Sequence, residues 1–378
     1  MSRIVVDLLY YTGKRGGTET YIRQVLPRVA ALRPDVEFVG IANTTGRGRA
    51  ATWFPGEVRT LPVTGENRPI WAVAETLAVG PLARRLGADL LWCPANFGPG
   101  RSAVPRLVTL HDVIAFEYPN AVSRVTQLVT TGIIRRTARG ARRLLTDSEG
   151  SADAIVHLLG IGRERITSVP LAAGPPTTFA DDELAAALAA LGLDGGRPYV
   201  LSTGNRLPHK NFDGLVRALA TIPADRRPRL VITGSHGRDP LEAVVGELGL
   251  ADDVVLPGWV TLPQLEALYR GAALYVCPSF DEGFGLPVLD AMQRGVPVLA
   301  SDARVLREVG GDAAAYVDPR DPTAMGVEIE RIVSDPPARA AMRVAGLERA
   351  GEFSWERAAE QTAAVLTELI GAPSGVAR

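Results

Sequence analysis

Two acidic residues, Glu282 and Asp290, lie eight positions apart on either side of a predicted turn from a strand into a helix. The turn, 278–287, carries glycines at 283 and 285; it follows a predicted strand at 274–277 and precedes a predicted helix at 288–293. A glycine-containing loop that opens a helix binds anions, because its N–H groups point outward and the helix dipole favours negative charge. Glycine also lets the backbone approach a phosphate closely.

The two carboxylates suit hydroxyl groups, because a carboxylate accepts hydrogen bonds from both hydroxyls of a vicinal diol. Glu282 is predicted to contact a sugar, and Asp290 to reach back toward ribose hydroxyls. For each, an ordinary surface acid is the alternative. The loop positions predicted to bind the phosphate are Gly283, Phe284, Gly285 and Leu286.

A second predicted anion site is the segment 202–211, again between a predicted strand, 199–203, and a helix. Arg206 and Lys210 place two cations near a helix start that Asn211 is predicted to cap. Together they could neutralise a diphosphate leaving group. Two solvated charges in a loop are the alternative, and the intervening His209 is predicted to be exposed.

The Glu-Gly-Phe-Gly-Leu-Pro run at 282–287, followed by an acid eight positions after Glu282, resembles the fingerprint of retaining glycosyltransferase family 4. The similarity continues through 291–301 and 306–312. The family has a second Glu where this chain has Asp290, a side chain shorter by one methylene, roughly 1.5 Å. The resemblance implies that Arg206 and Lys210 contact the diphosphate, and that Val260, in 258–260, lies where the family's backbone faces the nucleobase.

The first half of the chain offers two further candidates. Gly16 and Gly17 follow the first predicted strand and open a predicted helix at 20–31, where backbone N–H groups could approach a phosphate. His111 follows the predicted strand 107–110, and the family carries a histidine here beside the donor sugar. A common Gly-Gly turn and a hydrogen-bonded histidine at a strand end are the alternatives.

Composition narrows the class of function. The chain has 378 residues and a net charge of −1, and it shows no basic stripe interleaved with aromatic residues, so nucleic acid is excluded as a partner. Cys93 and Cys277 lie in apolar runs, which predicts reduced thiols in the cytoplasm with no disulfide or metal. No signal peptide and no span of roughly 20 apolar residues is evident, so a soluble protein or one peripheral to a membrane is expected.

Short β-branched runs alternate with helical patterns along the chain, which predicts an α/β fold with parallel sheets. We expect an acceptor-binding domain at 1–174, a linker at 175–197 and a donor-binding domain at 198–355, with a helix at 356–378 packing back on the first domain. The family fold implies two Rossmann-like domains facing a central cleft, the GT-B architecture. Five arginines at 135, 136, 139, 142 and 143 could touch anionic lipid or form a solvated face.

The predicted function is therefore transfer of a hexosyl group, of the mannose or glucose/GlcNAc type, from a nucleoside diphosphate sugar to an acceptor hydroxyl. GDP-mannose or a UDP-hexose is the expected donor, and a glycan, glycolipid or secondary metabolite the acceptor. The resemblance implies retention of configuration, and no metal or other cofactor is expected. The alternative is a GT-B protein that binds nucleotide sugars with weak or no transferase activity. A phosphorylase would need a pyridoxal-bearing lysine and a longer chain.

Overall fold

The computed structural model describes residues 2–13, 16–66, 72–118, 123–193 and 195–371. The chain divides into two compact units, Met1–Leu171 with Ser354–Arg378, and Ala172–Phe353. Each unit is built on one parallel sheet, so the predicted α/β class is confirmed. In the part of the chain that the structure describes, no helix is long and apolar enough to cross a membrane.

The first unit contains a seven-stranded sheet in the order β3-β2-β1-β4-β5-β6-β7, with every neighbouring pair parallel. Its central strands are buried along their whole length because helices cover both faces of such a sheet. The strands are β1 Ser2–Leu8, β2 Val36–Ala42, β3 Glu57–Thr60, β4 Leu90–Cys93, β5 Arg106–Thr109, β6 Arg143–Thr146 and β7 Ile166–Ser168.

Helices connect these strands, and polar side chains set several of their boundaries. Ser148, for example, accepts a hydrogen bond from the N–H of Ser151 at the start of one helix, and Gly160 ends that helix in the left-handed conformation, with φ 66°. The helices are α1 Gly17–Leu32, α2 Arg47–Ala50, α3 Gly80–Arg85, α4 Ile114–Glu117, α5 Arg124–Gly140 and α6 Glu149–Leu159, with a π-helix at Glu75–Val79 and a 3₁₀ turn at Arg163–Arg165.

The second unit contains a six-stranded parallel sheet in the order β10-β9-β8-β11-β12-β13. Its strands are β8 Tyr199–Thr203, β9 Arg229–Thr233, β10 Val254–Gly258, β11 Leu274–Cys277, β12 Val298–Ser301 and β13 Ala315–Val317. Its helices are α7 Asp181–Ala189, α8 Phe212–Thr221, α9 Glu242–Glu247, α10 Leu262–Gly271, α11 Leu286–Gln293, α12 Arg304–Gly310, α13 Pro322–Val333 and α14 Pro336–Gly351, with 3₁₀ turns at Pro208–Lys210 and Gly311–Ala313.

Two segments show how the chain is shared between the units. The segment 175–197 contains α7, which packs against α10 within the second unit. The last helix, α15 Trp355–Gly371, belongs to the first unit and packs along α1, where Arg28 donates to Glu356 at 2.8 Å.

Candidate functional site

Three consecutive strands of the second unit end in glycines that have positive φ. Gly204 follows β8 with φ 148°, Gly234 follows β9 with φ 98°, and Gly258 closes β10 with φ 71°. A Cβ on Gly234 would lie 2.5 Å from the carbonyl oxygen of Gly204, so a side chain there would collide with backbone. The glycines therefore let three loops pack tightly at the carboxyl edge of the sheet, where open α/β sheets bind ligands.

The loop 278–287 joins β11 to α11, and its end is shaped by Gly285. This residue is the N-cap of α11 at φ 102°, and a Cβ there would lie 2.8 Å from Leu306. No side chain caps the helix, and Pro287 occupies its first turn. Phe284 is buried edge-on against Phe353, with ring centroids 5.9 Å apart, which anchors the loop. The Val288 N–H donates to the carbonyl of Gly285 at 2.9 Å, and the N–H groups that precede it can bind an anion.

Lys210 and Glu282 form a largely buried ion pair beside this loop. The Lys210 Nζ donates to both carboxylate oxygens of Glu282, at 2.7 and 2.9 Å, and the Ser279 hydroxyl donates to one of them at 2.7 Å. Burial acts to raise the pKa of Glu282, but the Lys210 ammonium and Ser279 outweigh it, so the pKa lies below its ordinary value. Lys210 is one of two lysines in the chain, the other being Lys14. The pair fixes a compact cation in place.

Arg206 does not lie open at the same loop, because all five of its N–H groups bind within the protein. Its guanidinium pairs with Asp239, the shortest contact being 2.6 Å, and stacks over Phe212 at 5.1 Å. The remaining N–H groups donate to backbone carbonyls of residues 204, 232 and 233, at 2.8–2.9 Å. The side chain is 8% exposed. Arg206 therefore ties the ends of β8 and β9 together, and its predicted contact with a diphosphate stays a prediction.

Two neighbours of Lys210 differ from their predicted environments. His209 is buried, at 3% exposure, so the prediction that it is exposed is wrong; its carbonyl accepts from the N–H of Phe280 at 2.8 Å. Asn211 is the N-cap of α8, but its side chain caps nothing: its amide donates to the carbonyls of Pro278 and Pro319, at 3.1 and 2.7 Å. Its φ of 53° points the side chain across the sheet edge, so it joins three loops instead.

Asp290 lies in the middle of α11 and is 30% exposed. Its carboxylate accepts from the N–H of Gly174 at 3.2 Å and lies 3.6 Å from the Arg294 guanidinium. Burial raises the pKa of Asp290 to about 6, against the opposing effects of Arg294 and Gly174. The carboxylate is thus held by its own domain, and its predicted reach to ribose stays a prediction.

An exposed aromatic pair lies beyond β9 and β10. The ring of Trp259 is 63% exposed and stacks on His236, with centroids 4.8 Å apart and planes 14° from parallel. Val260 follows and is half-buried. Sequence analysis predicted Val260 as a contact and did not foresee the stacked pair, although both rings follow strand ends.

In the first unit, His111 and Asp147 lie at the ends of the adjacent strands β5 and β6. The His111 Nδ1 is 2.7 Å from the Asp147 carboxylate, and Nε2 is 3.0 Å from the carbonyl oxygen of Pro94. An imidazole facing an acceptor at each nitrogen satisfies both only when it carries two protons. Burial acts to lower the pKa of His111, but Asp147 outweighs it and raises the pKa. The geometry and the raised pKa of His111 both favour the doubly protonated imidazolium beside Asp147.

The predicted glycine turn at the start of α1 is partly described. Gly16 is the N-cap, and among the described residues none lies within 4 Å of a Cβ placed on it. Gly17 is the first residue of the helix, and Glu19 in the first turn accepts from the N–H of Thr12 at 2.6 Å. Lys14 and Arg15 lie outside the described residues. The described residues contain no cluster of three His, Cys, Asp or Glu side chains that could hold a metal ion.

Comparison with known families covers most of the chain. Residues 15–172 match the family model "Glycosyltransferase Family 4", and residues 186–349 match "Glycosyl transferases group 1". O-antigen chain mannosyltransferase B of Escherichia coli is 32% identical over 339 residues, covering 87% of this chain and 85% of that protein. This chain belongs to glycosyltransferase family 4. D-inositol 3-phosphate glycosyltransferase of Streptomyces coelicolor is 29% identical, covering 95% and 88% of the two chains.

Solved structures support the GT-B fold of the glycosyltransferase. Sucrose-phosphate synthase from Thermosynechococcus elongatus superposes with a TM-score of 0.77 at 22% identity, covering 99% of this chain and 100% of that one. HepE from Anabaena, solved in complex with UDP-glucose, superposes with a TM-score of 0.74 at 18% identity, covering 97% and 100%. The predicted GT-B architecture and the enzyme class, a hexosyltransferase of the family 4 type, are confirmed.

The position of Arg206 predicts a structural effect of its removal. Arg206→Ala should lower the free energy of unfolding of the glycosyltransferase by about 3–5 kcal/mol, because Asp239 would stay buried without its partner. Arg226, which forms an exposed ion pair with Glu330 at 2.5 Å, is the matched control. Its replacement by Ala should change the free energy by about 1 kcal/mol or less. Denaturant unfolding measures both, and equal effects would contradict the structural role.

His111 and His209 should titrate on opposite sides of the ordinary histidine pKa of about 6.5. By NMR, His111 should titrate above it, and His209, whose pKa burial and Lys210 lower, below it. Because the His111 pKa is raised in the folded state, its pair with Asp147 stabilises the fold at low pH, and this stabilisation is lost as pH rises through that pKa. Asp147→Asn should therefore destabilise the protein more at pH 6 than at pH 9. Equal destabilisation at both would refute the charged pair.

Proposed function

We propose that the enzyme transfers a hexosyl group from a nucleoside diphosphate sugar to an acceptor hydroxyl, with retention of configuration and without a metal ion. The bond from the anomeric carbon to the phosphate oxygen breaks, and a bond to the acceptor oxygen forms on the same face. The departing phosphate takes the acceptor proton. No protein nucleophile takes part in this scheme.

The observation that carries the proposal is the Lys210 ammonium, fixed by Glu282 beside the uncapped start of α11. Glycosyl transfer puts negative charge on the leaving diphosphate, and preorganised positive groups stabilise that charge. We propose that the Lys210 ammonium and the N–H groups of residues 284–286 are these positive groups. Since both oxygens of Glu282 accept from Lys210, the acid orients this cation, and its predicted contact with the sugar is an additional role.

The names of similar proteins support the proposed donor class. HepE is solved with UDP and with UDP-glucose, and the similar enzyme of Escherichia coli is a mannosyltransferase. These names support a mannose donor or a UDP-hexose, and the proposed donor here is GDP-mannose or a UDP-hexose. The stacked rings of Trp259 and His236 present an exposed aromatic face at the edge where the nucleobase is expected. Retention rests on the family resemblance, and the predicted acceptors are glycans, glycolipids or secondary metabolites.

One observation favours the alternative, a nucleotide-sugar-binding protein with weak or no transferase activity. Asp290 replaces the family Glu and accepts from Gly174 within its own unit, so its hold on the ribose would be weaker. Incubation of the purified chain with a panel of nucleotide sugars and acceptors separates the two functions. We expect release of nucleoside diphosphate that depends on the acceptor and continues in EDTA, and an NMR coupling at the anomeric carbon of the product that shows retention. Donor binding without release would establish the alternative.

If Lys210 stabilises the leaving diphosphate, its removal should lower turnover even in a variant whose stability is restored. Lys210→Ala should lower turnover by about 100-fold or more, the effect of removing one preorganised donor from a developing anion. The same change leaves Glu282 buried and unpaired, which also destabilises the fold. The double variant Lys210→Ala with Glu282→Gln removes the unpaired charge, so stability should recover while turnover stays low. Near-normal turnover in the double variant would refute the role, and Arg226→Ala should leave turnover unchanged.

The Asp290 pKa of about 6 predicts that donor affinity depends on pH. Below that pH the carboxyl binds a proton and loses acceptor capacity for ribose hydroxyls, so the dissociation constant for UDP or GDP should rise as pH falls through about 6. Asp290→Asn should flatten this dependence, whereas replacing the exposed Asp252 by Asn should preserve it. Calorimetric titration between pH 5 and 8 measures all three proteins. An unchanged pH profile in Asp290→Asn would show that this side chain does not bind the ribose.

A further inference from the structure

Helix α5 of the first unit carries apolar side chains on its outward surface. Val125, Leu128 and Val129 are 73%, 63% and 55% exposed. They lie at helical spacings that continue through residue 132 to the exposed Arg135, Arg136 and Arg139. The opposite side of the helix, at residues 131, 134, 137 and 138, is buried in the core. One continuous outward stripe therefore changes from apolar to basic along α5.

A second segment of the same unit, residues 73–84, also combines exposed apolar side chains with an exposed arginine. Val73 and Leu77 are 58% and 69% exposed, and the exposed Arg84 lies on α3, which continues the π-helix. Two surface grooves connect the segments: one is lined by Arg84 and Arg101, and the other by Arg101 and the α5 arginines. Of the six exposed large apolar side chains in the described part of this unit, five lie on these two segments. The arginine–apolar face comprises Val73, Leu77, Arg84, Arg101, Val125, Leu128, Val129, Arg135, Arg136 and Arg139.

The arginines of this face differ from most others in the chain. Among the described residues, none of the five forms an ion pair with a carboxylate, although Arg135 stacks over Phe116 at 5.3 Å. The segment 123–143 contains no acidic residue. Arg143, by contrast, pairs with Glu368 at 2.7 Å, so it does not belong to the face. Unneutralised charge is thus concentrated here, in a chain whose net charge is −1.

We propose that the arginine–apolar face docks the enzyme on a bilayer of anionic phospholipid. Guanidinium groups bind lipid phosphates, and exposed Val and Leu side chains enter the region between headgroups, so each half of the face meets its complement. Exposed apolar side chains grouped beside basic ones are typical of an interaction surface. A second copy of the chain fits less well, because a two-fold contact would bring the same arginines together. Nucleic acid offers nothing for the five aliphatic side chains to contact.

Sedimentation with vesicles tests the proposal on the full chain. The wild-type protein should pellet with vesicles of phosphatidylglycerol and phosphatidylcholine, release as salt is raised, and stay in solution with phosphatidylcholine alone. An arginine variant replaces the three α5 arginines with Gln, and an apolar variant replaces the three α5 aliphatic residues with Ser. We expect the arginine variant to bind about 100-fold more weakly. The apolar variant should bind more weakly and release at lower salt.

Matched controls use equivalent changes in the second unit. Replacing the exposed, ion-paired Arg226, Arg238 and Arg331 with Gln changes net charge equally, and Val344→Ser with Leu347→Ser removes exposed apolar side chains. Both controls should bind like the wild type. Absence of wild-type binding to anionic vesicles, or equal loss in variants and controls, would overturn the proposal. Concentration-dependent dimerisation without vesicle binding would instead assign the face to a second copy.

The test is independent of the transferase reaction. Circular dichroism should be unchanged and thermal unfolding little changed in the variants, because every replaced residue is exposed. Vesicle binding needs neither donor nor acceptor, so failure of the proposed transfer would leave this result unaffected. Likewise, loss of vesicle binding would not contradict the proposed role of Lys210 and the start of α11 in binding the diphosphate.

Discussion

Charges that leave water must be paired, and this requirement organises the carboxyl edges of both sheets. Removing a charge from water costs several kcal/mol, and only an opposite charge with good hydrogen bonds offsets it. Parallel strands end side by side, so a charged residue after one strand finds its partner in a loop after another. Buried pairs at these edges include His111–Asp147, Arg206–Asp239 and Lys210–Glu282. Each pair joins loops that follow two different strands.

The elements of the fold were predictable because they are local. Alternation of apolar runs with helical patterns predicted two parallel sheets, and the glycines at 283 and 285 predicted the helix start that opens at Gly285. The pairings were not predictable, because they are tertiary. Asp239 lies 33 positions from Arg206, and Asp147 lies 36 positions from His111. No spacing rule connects them, and sequence analysis assigned neither acid a role.

The two wrong predictions have the same origin. Asn at a helix start normally caps it, and a histidine beside a lysine in a loop is normally exposed. At Asn211 the left-handed backbone turns the side chain toward the carbonyls of Pro278 and Pro319, which have greater need of a donor because they are buried. His209 is held against the 278–287 loop, because its carbonyl accepts a hydrogen bond from the N–H of Phe280. In both cases tertiary hydrogen bonding outweighed local preference.

Arginine has opposite roles in the two units, and burial decides which one applies. In the second unit, every N–H group of Arg206 donates to a protein acceptor, so this side chain fixes loops. On the outward side of α5, the described arginines are exposed and form no ion pair with a carboxylate of the described residues, so their charge is available to an external anion. The net charge of the whole chain, −1, does not indicate this separation of paired and unpaired arginines. At the same sheet edge Lys210 is also paired, with Glu282, but its ammonium is a compact point charge, which is why the proposed contact with the leaving diphosphate is assigned to it.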